Sequence, residues 1–256
     1  MPKPFLTRLV PWAVTLGFFV LWELACWGFR VDRFILPRPS EIAVSIIKHY
    51  PAILLNSWQT LYTTLVGFAL AVGFGLCLGL LIGALPAVYA GLYPILVGLN
   101  SIPKVAVVPV LVIWFGIGTV PAIITAFVIS FFPIMVNVAT GLATIEPELR
   151  DVLRSLGASR LQILWRVGMP SAMPYFFASL KVAVTLAFIG SIVAETVASD
   201  RGIGYLMIAA SARFDVPLVF AGLLVIALMG VIMYEVFSYI DRRVTFWAIR
   251  GNEMIS

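Results

Sequence analysis

Long apolar runs separated by short polar segments make up most of this chain. A helix needs roughly 20 consecutive apolar residues to cross about 30 Å of hydrocarbon, and several runs exceed that length. Six segments can be drawn, at about 11–29, 57–85, 90–116, 120–143, 173–195 and 216–240. The alternation of a transmembrane barrel strand is absent from the sequence. The pattern predicts an all-α polytopic membrane protein with about six transmembrane helices.

The region from 86 to 143 is the least regular part of this pattern. Four prolines interrupt it, namely Pro103, Pro109, Pro121 and Pro133. Prolines in membrane helices mark kinks, where neighbouring groups must satisfy the backbone groups that are freed. We therefore expect bends here and uncertain helix ends.

A short amphipathic segment lies between the first two apolar runs. Pro37 and Pro39 enforce an extended entry, and Ser40 is suited to cap the helix that follows. One side of that helix carries Ile42, Ile46 and Ile47. The segment is predicted to lie in the membrane interface.

Composition agrees with the membrane assignment, because 62% of the residues are hydrophobic and 11% are charged, against about 25% charged residues in soluble domains. The net charge of +5 would suggest nucleic acid in a soluble protein. In a membrane protein, Lys and Arg instead mark cytoplasmic segments.

The cations also predict the topology. With six spans both termini lie on the same side of the membrane. If that side is the cytoplasm, nine cations lie inside, namely Lys3, Arg8, Arg150, Arg154, Arg160, Arg166, Arg242, Arg243 and Arg250. Six lie outside, namely Arg30, Arg33, Arg38, Lys48, Arg201 and Arg213. The excess favours cytoplasmic N- and C-termini.

The segment 150–174, "RDVLRSLGASRLQILWRVGMPSAMP", is a charged island between apolar runs. Leu149, Val152, Leu153 and Leu156 recur at helical spacing and form one apolar stripe. The other face of that short helix carries Arg150, Asp151 and Arg154.

The island is predicted to form two short helices. Gly157 stands where a left-handed residue ends the first helix, and Ser159 with Gln162 matches a capping box that begins the second. Pro170 and Pro174 are expected to end that second helix. On pattern alone the island is either a passive interfacial loop or a docking element. A DNA-binding motif is set aside because both its ends are tied into the membrane.

The island resembles the EAA loop of the permeases of ATP-binding-cassette importers, in which Glu-Ala-Ala is followed after three residues by Gly and later by Leu-Pro. The flanking stretches "NSIPKVAVVPVLVIWFGIG" and "GSIVAETVASDRGIGYLM" resemble those of the nitrate/sulfonate/taurine subfamily, as does "ILPRPSEI". The resemblance covers nearly the whole chain. It implies the permease fold of type I importers (MetI-like).

The resemblance assigns an ATPase-coupling role to the island, at Asp151, Val152, Leu153, Leu156, Gly157, Ala158, Ser159 and Pro170. In the family this loop sits in a groove of a cytoplasmic ATPase. This chain has Asp-Val-Leu where the family has Glu-Ala-Ala, and Met169 before the proline. The bulkier residues imply a groove with matching space.

The resemblance also implies partners and cofactors. These are a second copy of the chain, two ATPase subunits that carry ATP and Mg, and an external substrate-binding protein. The chain is expected to bind no metal or cofactor and no nucleic acid. It has no G-x-x-x-x-G-K-[ST] loop, so we expect no ATP hydrolysis by this chain itself. The expected location is the bacterial inner membrane.

Three regions are expected along the chain. Residues 1–56 hold the N-terminal tail, the first transmembrane helix and the external loop with its interfacial helix. Residues 57–243 form a five-helix permease core, with the coupling loop at 144–173. Residues 244–256 form a cytoplasmic tail.

Ionisable residues inside apolar runs are candidates for the translocation pathway, since charges facing lipid are costly. Lys104 follows Pro103. It is expected either to line the pathway or mark a helix kink, or else to form a structural pair with another side chain. Glu195 is expected to pair with an arginine or to shape the outer gate. For Trp114 and Phe131, packing is the expected role and pathway lining the alternative.

Two other functions are compatible with a membrane bundle. A secondary transporter would place coupling carboxylates at mid-membrane, often in inverted repeats. A membrane-embedded enzyme is disfavoured because the chain has one histidine, His49, and no cluster of acid–base or metal-binding residues. The subfamily serves nitrate-, sulfonate- and taurine-like anions and related small organic molecules, and the sequence does not select among them.

Overall fold

The computed structural model describes residues 5–145 and 147–244. Helices form all the regular structure in those ranges. In chain order they are α1 (Phe5–Gly28), α2 (Pro39–Lys48), α3 (Tyr50–Ala84), α4 (Pro86–Ser101), a 3-10 turn (Lys104–Val107), α5 (Val108–Phe115), α6 (Thr119–Ala143), α7 (Pro147–Ser155), α8 (Arg160–Ile163), a π turn (Leu164–Gly168), α9 (Met169–Ala198), α10 (Ile203–Ser211) and α11 (Val216–Val244). The predicted tail lies outside the described residues from 245 onward.

The apolar helices agree with the predicted all-α membrane protein. Among the described residues, four helical segments are long and apolar enough to span a membrane, namely Tyr50–Ala84, Thr119–Ala143, Leu161–Ala198 and Val216–Val244. A fifth span exists if the bent pair Ala87–Ser101 and Lys104–Phe115 counts as one. The first predicted run is helical, but its apolar part, Ala13–Gly28, is shorter than these.

The third predicted run, 90–116, is not one continuous helix. The chain bends by 84° between α4 and the segment that begins at Lys104. Pro103 lacks a backbone N–H and disfavours helical geometry at the residue before it. Ile102 is accordingly extended, with φ −70° and ψ 129°.

The short helix predicted between the first two apolar runs is present as α2, but Ser40 does not cap it. The helix begins earlier, at Pro39, where the carboxylate of Glu41 accepts the backbone N–H of Arg38 at 3.0 Å. Ser40 instead donates its N–H and its hydroxyl to the two carboxylate oxygens of Glu23, at 3.0 and 2.8 Å. These bonds connect α1 to α2.

The centre of the bundle consists of α3, α6 and α9. A run of glycines allows α3 to approach α6 closely. A Cβ at Gly75 would lie 2.8 Å from the carbonyl oxygen of Phe131, and a Cβ at Gly79 would lie 2.8 Å from that of Met135. Since both sequences advance together along the contact, α3 and α6 run parallel. Small residues that recur every four positions along a helix favour such close helix–helix contacts in membranes.

Helix α9 runs antiparallel to α6. Gly190 packs against Ala126 near the start of α6, and Gly141 packs against Ala172 near its end. The island 147–168 therefore lies at one end of the bundle, which we call the elbow end. The first residues of α3, together with α10 and the first residues of α11, lie at the opposite end.

The second island helix does not end at Pro170 and Pro174, contrary to the sequence prediction. It runs through the π turn into α9, so that Leu161–Ala198 is one continuous helical span. A π turn has wider i→i+5 bonding, and it ends just before Pro170, which lies in the first turn of α9. Pro174 lies inside α9, which membrane helices tolerate when neighbouring groups satisfy the freed carbonyl.

Candidate functional site

Gly157 forms the turn between α7 and α8, as predicted. Its φ of +82° is in the left-handed region, which favours a residue without a Cβ. The N–H of Gly157 donates to the carbonyl of Arg154, and the N–H of Ala158 donates to that of Leu153, both at 2.9 Å. These bonds satisfy the last carbonyls of α7 and fix the direction of the chain. We call α7, Gly157–Ser159 and α8 the helical elbow.

The predicted capping box is present at the start of α8. The N–H of Ser159 donates to the side-chain oxygen of Gln162 at 2.8 Å, and the N–H of Gln162 donates to the Ser159 hydroxyl at 3.2 Å. The two side chains satisfy donors at the helix start that would otherwise have no partner.

The apolar stripe of α7 is exposed. Val152 is 55% and Leu156 is 77% exposed, and Leu149 is also exposed. Leu161 and Trp165, beyond the elbow, extend this apolar surface. Asp151 lies beside it, with a carboxylate oxygen 3.6 Å from the Arg154 guanidinium. A short helix whose apolar stripe and charged side are both exposed to solvent is suited to dock against another protein.

The π turn that follows the elbow packs against the end of α6. Leu142, Ile145 and Ala172 form a buried cluster, against which Leu164 and Val167 pack. A Cβ at Gly168 would lie 2.9 Å from the Leu142 side chain. The elbow is therefore exposed at its tip and fixed at its base, and α9 continues from it for 30 residues, about 45 Å of helix.

A buried polar cluster lies at the other end of α9. The Glu195 side chain accepts hydrogen bonds from the hydroxyls of Thr60 at 2.8 Å and Thr63 at 3.3 Å. The Thr63 hydroxyl also bonds that of Ser191. All four residues are almost completely buried. We call Asn56, Thr60, Thr63, Ser191 and Glu195 the polar junction.

The polar junction holds the N-terminus of α10. Its first N–H groups have no partner inside the helix, and side chains from α3 and α9 accept them. Gly202 N–H donates to Asn56 Oδ1 at 2.8 Å, Ile203 N–H to Thr60 Oγ1 at 2.9 Å, and Gly204 N–H to Glu195 Oε2 at 3.1 Å. Three helices, α3, α9 and α10, thus meet in one hydrogen-bonded network.

Glu195 has no arginine partner among the described residues. The Glu195 carboxylate is instead hydrogen-bonded by two hydroxyl groups and one backbone N–H, and not by the predicted arginine. Asn56, Thr60, Thr63 and Ser191 were not predicted as site residues. Their signal is in the sequence, because polar residues recur every three or four positions inside otherwise apolar runs of α3 and α9.

The four candidate pathway residues have different surroundings. Lys104 is half-buried at the bend after α4, where its ammonium donates to the backbone oxygen of Asn100 at 2.6 Å and to its side-chain oxygen at 2.7 Å. Trp114 is exposed. Phe131 stacks on Phe127, with ring centroids 5.5 Å apart, and packs against the core. A pathway role for Lys104, Trp114, Phe131 and Glu195 stays a prediction.

Within the part of the chain that the structure describes, no three His, Cys, Asp or Glu side chains are grouped to hold a metal ion. The geometry places an exposed, partly apolar short helix at one end of α9 and a buried polar junction at the other.

Comparison with known proteins gives a family. The family model described as "Binding-protein-dependent transport system inner membrane component" matches residues 71–246. A probable ABC transporter permease protein of Haemophilus influenzae is 32% identical over 90% of this chain and 94% of its own length. The taurine transport system permease protein TauC of Escherichia coli is 31% identical over 89% of this chain and 85% of its own length.

A third relative is the formylaminopyrimidine transport permease protein ThiX of Halalkalibacterium halodurans, which is 30% identical over 93% of this chain and 96% of its own length. Among solved structures, a chain of the inward-facing MetNI methionine ABC transporter superposes with a TM-score of 0.66 and 20% identity. The match covers 77% of this chain and 98% of that one. The chain therefore has the MetI-like permease fold that the resemblance of the island and its flanking stretches implied.

Proposed function

Since this chain belongs to the family of binding-protein-dependent transport system inner membrane components, as the permease of an ABC importer, we propose that its helical elbow is where a cytoplasmic ATPase subunit docks. The single observation that carries this proposal is the exposed apolar stripe of α7, with Val152 and Leu156 more than half exposed. A hydrophobic strip beside the acid of Asp151 suits a groove that buries one face of a short helix.

The attachment of the elbow supports a coupling role. The π turn that follows it packs against the end of α6, and α8 continues through that turn into α9 without interruption. A packed element of this kind has discrete arrangements and moves as a rigid body. Movement of the ATPase would then displace α9, and with it the polar junction at the far end of that helix.

The assembly that we propose contains two copies of this chain, two ATPase subunits and one external substrate-binding protein. ATP and Mg bind to the ATPase subunits, and this chain does not hydrolyse ATP. The elbow end faces the cytoplasm together with both termini. Membership of an ABC family, with its separate ATPase, speaks against a secondary transporter driven by an ion gradient.

The cargo is proposed as a small solute of the kind that the relatives carry. Those relatives are named for taurine, aliphatic sulfonates, formylaminopyrimidine and riboflavin. A taurine- or sulfonate-like anion or a related small organic molecule fits this range.

The test is gentle affinity purification of the chain from its native membranes, with mass spectrometry of the proteins that accompany it. We expect one ATPase copy per permease copy, and loss of that ATPase from a Val152→Glu, Leu156→Glu double variant. The matched control is Ile35→Glu, which changes a residue as exposed as Leu156 but at the opposite end. Equal recovery of the ATPase with all three chains would contradict docking at the elbow.

A further inference from the structure

An ion pair joins α9 to α11 inside the helical bundle. The ammonium of Lys181 donates to a carboxylate oxygen of Asp241 at 2.7 Å, and the two side chains are 26% and 15% exposed. Both residues lie in helical segments that are long and apolar enough to span a membrane. By contrast, the ion pairs of Arg154 and Arg201 are exposed and each join residues close in sequence. The Lys181–Asp241 pair is therefore a charged link between two spans.

Apolar contacts set the register that brings these two charges together. The helices α9 and α11 run antiparallel, because Phe188 lies after Lys181 on α9 whereas Gly230, its neighbour on α11, lies before Asp241. A Cβ at Gly230 would lie 3.4 Å from the Phe188 ring. Phe188 also shares a buried cluster with Met233. These contacts fix which turn of α11 faces Lys181.

The attachment of α11 to the bundle differs along its length. Near its start, Leu218 is buried in a cluster with residues of α2, α3 and α10. Between residues 234 and 244, all of which the structure describes, Ser238 alone is buried. The Phe237 ring in this stretch packs against the Phe68 ring of α3, with centroids 4.9 Å apart. Near the elbow end α11 thus depends on few contacts, and the ion pair supplies a directional one to α9.

A buried ion pair is a poor choice for stability alone. Desolvation of both charges offsets much of their attraction, and apolar side chains of similar volume often give equal or greater stability. Ionisable residues inside membrane spans accordingly mark functional positions. A charge-assisted hydrogen bond is also directional, and the flexible lysine stem lets the contact persist while the helices adjust.

We propose that Lys181 and Asp241 are positioning residues that make α11 follow α9 when a cytoplasmic ATPase displaces the helical elbow. The inference rests on the proposed function, because the displacement begins at the elbow, in the same helical span as Lys181. Apolar contacts are non-directional, so apolar helix surfaces can shift past each other. The ion pair instead holds one turn of α11 to one turn of α9. Since the start of α11 packs against α10, the linked helices carry the movement towards the polar junction.

The test measures distances between spin labels in the permease–ATPase complex in lipid nanodiscs. The complex is compared without nucleotide and after trapping with ATP, Mg and vanadate. Cys26→Ala and Cys77→Ala remove the native thiols, and labels are attached to Val182→Cys on α9 and Val236→Cys on α11, where both native side chains are about half exposed. Labelled chains are diluted with cysteine-free chains, so that most dimers carry one labelled copy.

With the native pair, we expect the α9–α11 distance to stay constant on trapping. In a Lys181→Met, Asp241→Leu variant it should change by about 2 Å or more, the scale of helix shifts at interfaces. The same variant should unfold at the native temperature or above it, which excludes a loss of folding as the cause. The matched control is Arg242→Leu, which removes an exposed charge from the same turn of α11 and should leave the distance constant.

Reversal of the pair provides the rescue. A Lys181→Asp, Asp241→Lys variant keeps both charges and should restore a constant distance between α9 and α11. A purely structural role would make the apolar variant behave like the native chain. A constant distance in the apolar variant, or a distance that already changes in the native chain, would therefore overturn the inference.

A second label position separates this inference from the proposed function. Labels attached to Ser155→Cys in the two copies report the movement of the two elbows, and their separation should change on trapping. If it does not change, the coupling role proposed for the elbow fails, and the inference fails with it. If the elbows move but the apolar variant keeps the native α9–α11 distance, the proposed function stands and only the inference is overturned.

Discussion

The helical elbow and the polar junction lie at the two ends of the same helical span and use their polar residues in opposite ways. At the elbow the polar groups are exposed, the Asp151–Arg154 pair is 3.6 Å apart, and apolar side chains are uncovered beside it. At the junction Glu195 is 2% exposed and three hydrogen-bond donors converge on it. An exposed region is free to meet a partner, whereas a buried network has one low-energy arrangement.

This difference lets one helical span carry the proposed docking surface at one end and a buried hydrogen-bonded network at the other. The elbow is ordered by local devices, a glycine turn and a capping box, and its outer face remains available. The junction is ordered by contacts between residues more than a hundred positions apart in sequence, such as Thr60 and Glu195. Substitutions at the elbow should therefore affect assembly and transport, and substitutions at the junction should affect the stability of the far end.

The largest expected effect is that of Gly157→Leu. The left-handed backbone conformation at position 157 is less favourable by about 1–2 kcal/mol for a residue with a Cβ. Steric overlap is not the cause, because nothing lies within 4 Å of the position that a Cβ would occupy. We expect uptake to fall by about tenfold or more, with normal membrane insertion.

Gly157→Asn is the matched control, because Asn tolerates the left-handed conformation better than Leu. It should retain much more uptake than Gly157→Leu. Normal uptake by the leucine variant would show that the geometry of the elbow does not matter.

Glu195→Ala should have the next largest effect, confined to the opposite end. It leaves the N–H of Gly204 without its acceptor in a buried site, which costs about 1–3 kcal/mol, whereas the Thr63 hydroxyl keeps the carbonyl oxygens of Gln59 and Thr60 as acceptors. Hydrogen exchange at the amides of Ile203 and Gly204 should become faster. Glu235→Ala, at an exposed carboxylate on α11, should leave those amides unchanged, and equal protection in both variants would refute the role of Glu195.

Two buried threonines on α3 provide a sharper comparison. Thr60 bonds Glu195 and the N–H of Ile203, whereas the Thr64 hydroxyl has no hydrogen-bond partner among the described residues. Thr60→Val should lower the free energy of unfolding by about 1–3 kcal/mol, and Thr64→Val should leave it unchanged or raise it. Thermal unfolding of the purified complex measures both. Similar losses from the two substitutions would indicate packing effects alone.

The smallest expected effect on stability is that of Asp151→Lys. Exposed ion pairs contribute about 0–1 kcal/mol, so the unfolding temperature should hardly change, while recovery of the ATPase should fall. Asp200→Lys is the control, since Asp200 forms a similarly exposed contact, at 4.0 Å, with Arg201. If both variants recover the ATPase as well as the native chain does, Asp151 has no part in docking.

The sequence was most informative where the determinants are local. Gly157, the Ser159–Gln162 box and the stripe of α7 each follow from residues within a few positions, and the structure contains all three. The helix boundaries around prolines were less predictable. Pro170 suggested an end to α8, but the π turn before it lets the helix continue, and the bend at Pro103 is sharper than a kink within one span.

Contacts between distant segments could not be read from the pattern. The partners of Glu195 come from α3 and from the first turn of α10, and only the packing of the bundle brings them together. The glycine spacing of α3 and the recurrence of Asn56, Thr60 and Thr63 do indicate a close, partly polar helix face. They do not identify which helix it meets.

The most direct test of the account is photo-crosslinking from the exposed stripe of α7. A photoreactive amino acid is placed at Leu156 in the native membrane, with Ile35 at the opposite end as the control position. We predict that Leu156 crosslinks to an ATPase subunit and that Ile35 does not. Absence of ATPase crosslinks at Leu156, in a complex that still contains the ATPase and transports, would contradict docking at the helical elbow.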